Sequence, residues 1–124
     1  MTQHIQPATL IVEDRSHPAT AHLGSVWQRS DEWYNFVAST RGNTKVLVSI
    51  DEATYDPEKS PMGADHPMVW WHRVGKGRVF YSALGHTPES YSELDFRAFI
   101  QGAISWGLDA PTNNDSEEGV RDEF

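Results

Sequence analysis

His86 is the residue whose type and place most suggest chemistry. It follows the apolar run Arg78-Val79-Phe80-Tyr81-Ser82-Ala83-Leu84 and stands directly after Gly85. An imidazole just past a strand can move protons near neutral pH or hold a metal, and ligands of open α/β sheets gather beyond the carboxyl ends of strands. The same ring could instead hydrogen-bond its own turn. Glu89 could orient it, as a carboxylate orients a general base, or could simply be an acid near a helix start, favoured by the macrodipole. Two acidic pairs, Asp31-Glu32 and Asp51-Glu52, fall at or near element ends. Adjacent side chains of an extended segment face opposite ways, so each pair offers at most one carboxylate to a pocket. Glu32 is the better candidate of the first pair, because Tyr34 shares its face. A carboxylate beside a phenol suits sugar hydroxyls, which both donate and accept hydrogen bonds. Either pair could equally be a solvated strand end.

The other histidines considered, His17, His22, His66 and His72, lack the tight spacing of a helical zinc motif. A divalent metal would need ligands from separate loops, with His86 and His66, just ahead of Pro67, as the candidates. His72 lies mid-strand on a face with Trp70 and Val74, which suits core or interface packing. The five tryptophans divide by context. Trp70, Trp71 and Trp106 sit inside apolar patterns and belong to the core. Trp27 and Trp33 sit in polar segments, where they could stack on a sugar face or lie partly buried with the N–H bonded.

These residues must be carried by a single domain, since the chain has 124 residues and ~150 is an ordinary domain length. No cysteine is present, which excludes a disulfide scaffold, a thiolate metal site and a cysteine nucleophile within this chain. The formal charge of −8 argues against nucleic acid and anionic membranes as partners, because both require a basic footprint. The first residues lack the basic start and apolar run of a signal peptide, so a cytoplasmic setting is expected.

Residues 1–8 are polar and are expected to be flexible. Thr9-Leu10-Ile11-Val12 predicts a strand. Residues 19–31 show no convincing period, and the aromatic-rich Glu32–Val37 could form a short strand. The continuous apolar run in 45–51 predicts a strand covered on both faces. Residues 52–67 read as a long loop of the kind that carries function. Met68–Val74 and Arg78–Leu84 flank Gly75-Lys76-Gly77 and predict a hairpin. Ser90 or Ser92, each with an acid three residues later, would cap a helix whose stripe is Phe96, Phe99, Ile100, Ala103 and Ile104. Residues 111–124 place Asp115, Glu117, Glu118, Asp122 and Glu123 against Arg121 and read as a disordered acidic tail. One good helix and about five strands do not close an α/β domain, which needs helices on both faces of its sheet.

Asp65-His66-Pro67-Met68-Val69-Trp70-Trp71-His72, followed by Gly75-Lys76-Gly77-Arg78-Val79-Phe80-Tyr81-Ser82-Ala83-Leu84-Gly85-His86-Thr87-Pro88-Glu89-Ser90-Tyr91, resembles the trehalose-utilisation (ThuA-like) family. Glu13-Asp14, His17-Pro18-Ala19-Thr20, Asp31-Glu32-Trp33-Tyr34-Asn35-Phe36 and Leu47-Val48-Ser49-Ile50-Asp51-Glu52 fit the same family in the same order, over residues 9–108. The resemblance extends to the class I glutamine amidotransferase-like superfamily. It implies that 9–110 is the C-terminal part of a flavodoxin-like α/β three-layer sandwich, with a mixed sheet, a β-hairpin and a C-terminal helix. The opening β-α-β units have no counterpart here. A homodimer, or a missing N-terminal half, would then complete the sheet, and strand 45–51 would otherwise expose apolar surface.

In that superfamily a strand leads into a His-x-Glu that completes a Cys-His-Glu triad. Here His86-Thr87-Pro88-Glu89 is one residue longer, and the family is not known for thiol-dependent glutaminase chemistry. The resemblance therefore implies a pocket at this strand end rather than glutamine hydrolysis. It implies action on a small-molecule sugar, trehalose or a related disaccharide, including oxidised keto forms. The enzyme would be a sugar hydrolase, lyase or isomerase, with His86, Glu32 and Glu89 in catalytic roles and Asp31, Trp33, Tyr34 and His66 binding substrate. The alternatives are a non-catalytic carbohydrate-binding or regulatory domain, and an amidotransferase-like hydrolase whose nucleophile comes from another chain.

Overall fold

The computed structural model describes residues 5–36, 38–57 and 61–108. Residues 1–4, the acidic segment 111–124 and Val37 lie outside the described residues. The described residues form five strands and one α-helix: β1 (Ile5–Val12), β2 (Val26–Glu32), β3 (Lys45–Ile50), β4 (Pro67–Val74), β5 (Gly77–Ser82) and α1 (Leu94–Leu108). Two 3-10 turns, Glu52–Thr54 and Pro88–Ser92, follow β3 and β5. The sheet order is β2-β1-β3-β4-β5, and every pairing is antiparallel. A mixed sheet is expected of the parent fold. Parallel neighbours require a crossover of a dozen or more residues, usually helical, and α1 comes after the last strand.

β1 begins at Ile5, four residues ahead of the apolar run, because Ile5 through Ile11 pair with β2. β2 itself occupies 26–32 rather than 32–37. Its buried side chains are Trp27, Arg29 and Asp31, alternating with exposed Val26, Gln28 and Ser30. The period of two is present, but charged groups supply two of its three inward positions. β3 buries all of Val46–Ile50, as its continuous apolar run predicts. Register shifts between Val46 and Ser49 accompany its pairing with β4. The hairpin turn is tighter than predicted: Val74 pairs with Gly77, leaving Gly75 and Lys76 as the loop, with Gly75 at φ 58°.

Helix α1 covers one face. Phe96, Phe99 and Trp106 are buried against Trp27, Phe80 and Trp71. Ile104, expected in the stripe, is exposed, since the buried row runs through 96, 99 and 106. Neither Ser90 nor Ser92 caps this helix. Thr87 caps the preceding 3-10 turn, its hydroxyl accepting from the Ser90 N–H. The carbonyl of Glu93 then accepts from the Arg97 N–H to open α1. Gly102 lets the 17–23 segment lie on the helix, because a Cβ there would stand 2.3 Å from the Pro18 carbonyl oxygen. Within that segment His17 is buried between Trp71, Phe80 and Trp106. On the opposite face Trp70 stacks on Tyr81, and Phe36 packs edge-on against both.

Candidate functional site

In the antiparallel order, β2, β3 and β5 run in one direction, so their carboxyl ends share one end of the sheet. Asp31-Glu32 closes β2, and Asp51-Glu52 and His86 come shortly after β3 and β5. The segment leaving β2 crosses these ends. Trp33 packs on Tyr55 and donates its indole N–H to the Gln6 carbonyl at 2.7 Å, the Tyr34 carbonyl oxygen lies 2.8 Å from His66 Nε2, and Phe36 reaches Trp70 and Tyr81. The segment leaving β5 returns the other way. The sheet curls enough for Gly85 and His86, past one edge strand, to touch Asp31 on the other.

Asp31 is fully buried. Its Oδ2 accepts from the Gly85 N–H at 2.7 Å and from the Arg29 guanidinium, and its Oδ1 accepts from the N–H groups of His86 at 2.9 Å and Glu32 at 2.8 Å. Four protein donors occupy this carboxylate, which was expected to bind substrate. Arg29 is buried beneath the Phe96 ring. It also donates to Glu93 from Nε and Nη2, at 3.1 and 3.0 Å, and to the Ser90 hydroxyl at 2.7 Å. A buried charge is tolerable when paired and hydrogen-bonded in this way.

Glu32 points to the other face, as the strand period requires. Tyr34 donates its hydroxyl to Glu32 Oε1 at 3.3 Å, and its ring stacks on the His86 imidazole, centroids 4.3 Å apart at 16°. Partial burial, then the Glu32 charge and hydrogen bond, hold the Tyr34 phenol above its ordinary pKa. It therefore stays a donor at neutral pH. His86 Nε2 lies 2.6 Å from the Ala83 carbonyl oxygen. A carbonyl only accepts, so a neutral ring carries its proton on Nε2 and keeps the Nδ1 lone pair. Glu32, Tyr34 and His86 thus come together as an acceptor, a donor and a potential base. Tyr81, half-exposed, is near enough to bear on the Tyr34 phenol. Its place inside an apolar strand run concealed it in the sequence.

Glu89 is exposed in the first turn of the 3-10 segment, and the groups that hold His86 are Ala83 and Asp31. Trp27 is buried against Phe99. His66 is fully buried, with Nδ1 2.8 Å from Glu52 Oε2 and Nε2 on the Tyr34 carbonyl oxygen. Glu52, of the second acidic pair, accepts from the N–H groups of Met62 and Gly63 at 2.6 and 2.8 Å. Burial raises its pKa, but these donors and His66 outweigh burial and leave it lowered. Glu52 and His66 therefore tie down the 52–66 loop. Among the described residues no three His, Asp or Glu side chains converge on a metal-sized site, and no helix is long and apolar enough to cross a membrane.

The fold has relatives. Two solved structures described as ThuA-like proteins superpose on the chain. One, from Bacteroides uniformis, is 23% identical with a TM-score of 0.71. The other, from Parabacteroides merdae, is 22% identical with a TM-score of 0.60. Each aligns with 89% of this chain, but with only 46% and 44% of its own, so the chain spans about half the length of these neighbours. No curated protein matches the chain. The family model for trehalose utilisation, ThuA, matches residues 1–107, and the chain belongs to that family.

Proposed function

We propose that this ThuA-family domain acts on a sugar, trehalose or a related disaccharide or its keto form, by proton transfer or hydrolysis. The observation that carries the reading is the meeting of Glu32, Tyr34 and His86 beyond the strand ends. His86 Nδ1 takes a proton from the substrate or from water. Glu32 accepts from a sugar hydroxyl, and the Tyr34 hydroxyl, released from Glu32, donates to another. Tyr34 also backs the imidazole and restricts the directions from which a proton can arrive. The lack of cysteine suits a reducing, cytoplasmic setting. The exposed Val74, Val79 and Tyr81 support a second copy or a further chain segment lying against the sheet.

The test is to titrate the purified chain with trehalose and keto-disaccharides by calorimetry and to follow products by NMR. Binding that Glu32→Gln weakens is expected, with turnover reduced by about 10²–10⁴-fold in His86→Ala, the range for loss of a general base. Binding without turnover would make the domain a carbohydrate-binding module. No binding and no turnover with any of these sugars would refute the reading.

A further inference from the structure

Asp31 lies outside the chemistry just described, because all its acceptor directions face protein donors. We infer that Asp31, braced by Arg29, is the positioning residue that sets where the His86 imidazole stands; this inference rests on the reading of His86 as the reacting base. Two successive backbone N–H groups, those of Gly85 and His86, converge on one carboxylate at 2.7 and 2.9 Å. Gly85 adopts φ +93°, and a Cβ there would stand 2.7 Å from Phe96 Cζ. The bend is thus built for glycine and held from below by Asp31. Tyr91 donates its hydroxyl to the Gly85 carbonyl at 3.1 Å, closing the turn from its other side. With the backbone of residue 86 held, the ring lies between the Ala83 carbonyl and the Tyr34 face.

The brace extends to the helix. Arg29 joins Asp31 to Glu93, whose carbonyl opens α1, and to Ser90. The position of His86 is therefore referenced to the packed helix as well as to the edge strand β2. Adjacent residues of β2 divide the work, with Asp31 holding the backbone of His86 and Glu32 engaging the phenol stacked on its ring.

Two measurements on the full chain test this. In the unaltered protein, amide exchange at Gly85 and His86 should be slowed by about tenfold or more relative to exposed loop amides, as hydrogen-bonded groups are. Exchange at the exposed-loop rate would overturn the assignment. In Asp31→Asn, an amide nitrogen must face two of the four donors. The imidazole nitrogen resonances of His86 should then move from a single Nε2–H tautomer to a mixture. A folded Asp31→Asn chain with unchanged His86 resonances would also overturn the inference. If the variant does not fold, the exchange result decides. Failure of sugar binding alone would remove the proposed function while leaving the positioning result intact.

Discussion

Replacing His17 with Asn should flatten the fall in stability between neutral and mildly acidic pH. His17 is 4% exposed, and its Nε2 is buried without a hydrogen-bond partner among the described residues. Burial is the main cause that pushes its pKa from 6.5 down to about 4; Asp14 opposes this and Arg78 adds to it. As pH falls below 6.5 the unfolded chain takes up a proton that the folded chain refuses. Stability is therefore whole above 6.5, declines between 6.5 and about 4, and levels below. The complete loss is about 3 kcal/mol, of which about 2 kcal/mol is present at pH 5. Asn is the right replacement because His17 Nδ1 accepts from the Ala19 N–H at 3.0 Å. An Asn oxygen can take the same bond, as in an Asx turn, without titrating. Losing the ring contacts will lower stability at every pH, so the informative quantity is the change with pH. Urea unfolding followed by circular dichroism at pH 7 and pH 5 reads it. The wild-type midpoint should fall by roughly 1–2 M more than that of His17→Asn, given a slope of ~1–2 kcal/mol/M. The carboxylates held low, Glu13, Asp14, Glu52 and Asp65, contribute mainly below this window. Equal shifts in the two proteins would refute the argument.

Further outcomes follow from single contacts. Gly102→Ala should destabilise by about 1–3 kcal/mol, the usual range for overpacking, since backbone of Pro18 and Ala19 occupies the methyl position. A melting temperature within a degree or so of wild type would show that the 17–23 segment yields freely. Glu52→Gln should cost about 1–3 kcal/mol, as a buried donor loses its acceptor, and should speed amide exchange at Met62 and Gly63. The lowered Glu52 pKa makes its contribution present above the unfolded value and lost as pH falls through the folded one. The variant should therefore lose less stability between pH 5 and 3, as measured by urea unfolding, and an unchanged acid limb would count against the Glu52 anchor. Tyr34→Phe removes the hydroxyl but keeps the ring over His86. Sugar affinity measured by calorimetry should drop about tenfold, one hydrogen bond's worth, while the His86 resonances stay in place.

The elements that could be read from sequence were those whose burial is apolar. β3, the β4–β5 hairpin and α1 announce themselves through Val, Ile, Trp and Phe at the right spacing, with Gly75 at the turn. β2 did not, because two of its three inward positions are Arg29 and Asp31. Charged residues normally mark solvent, and here their pairing with each other, with Glu93 and Ser90 and with the Gly85 and His86 N–H groups makes them interior. The same network explains Ser90, whose capping-box spacing is real but whose hydroxyl lies under Arg29. For the site, sequence reasoning puts Glu32 and Tyr34 on a shared face and His86 just after a strand, and the structure brings these three candidates together. The buried role of Asp31 was hidden, because its partners, the N–H groups of Gly85 and His86, lie 54 and 55 residues away. No local pattern encodes so distant a contact.

The alternation of Asp31 and Glu32 makes the registration of β2 against β1 decide the geometry of the candidate site as well as the fold. Slippage by one position would invert every side chain of this strand, sending the longer acid inward, where it lacks the reach geometry of its neighbour, and the shorter one out beneath the phenol. The brace on the His86 backbone and the Glu32 contact with the Tyr34 phenol would disappear in one event. A chain mispaired at this margin would therefore keep neither half of the arrangement, and quality control of the edge strand would amount to quality control of the candidate site.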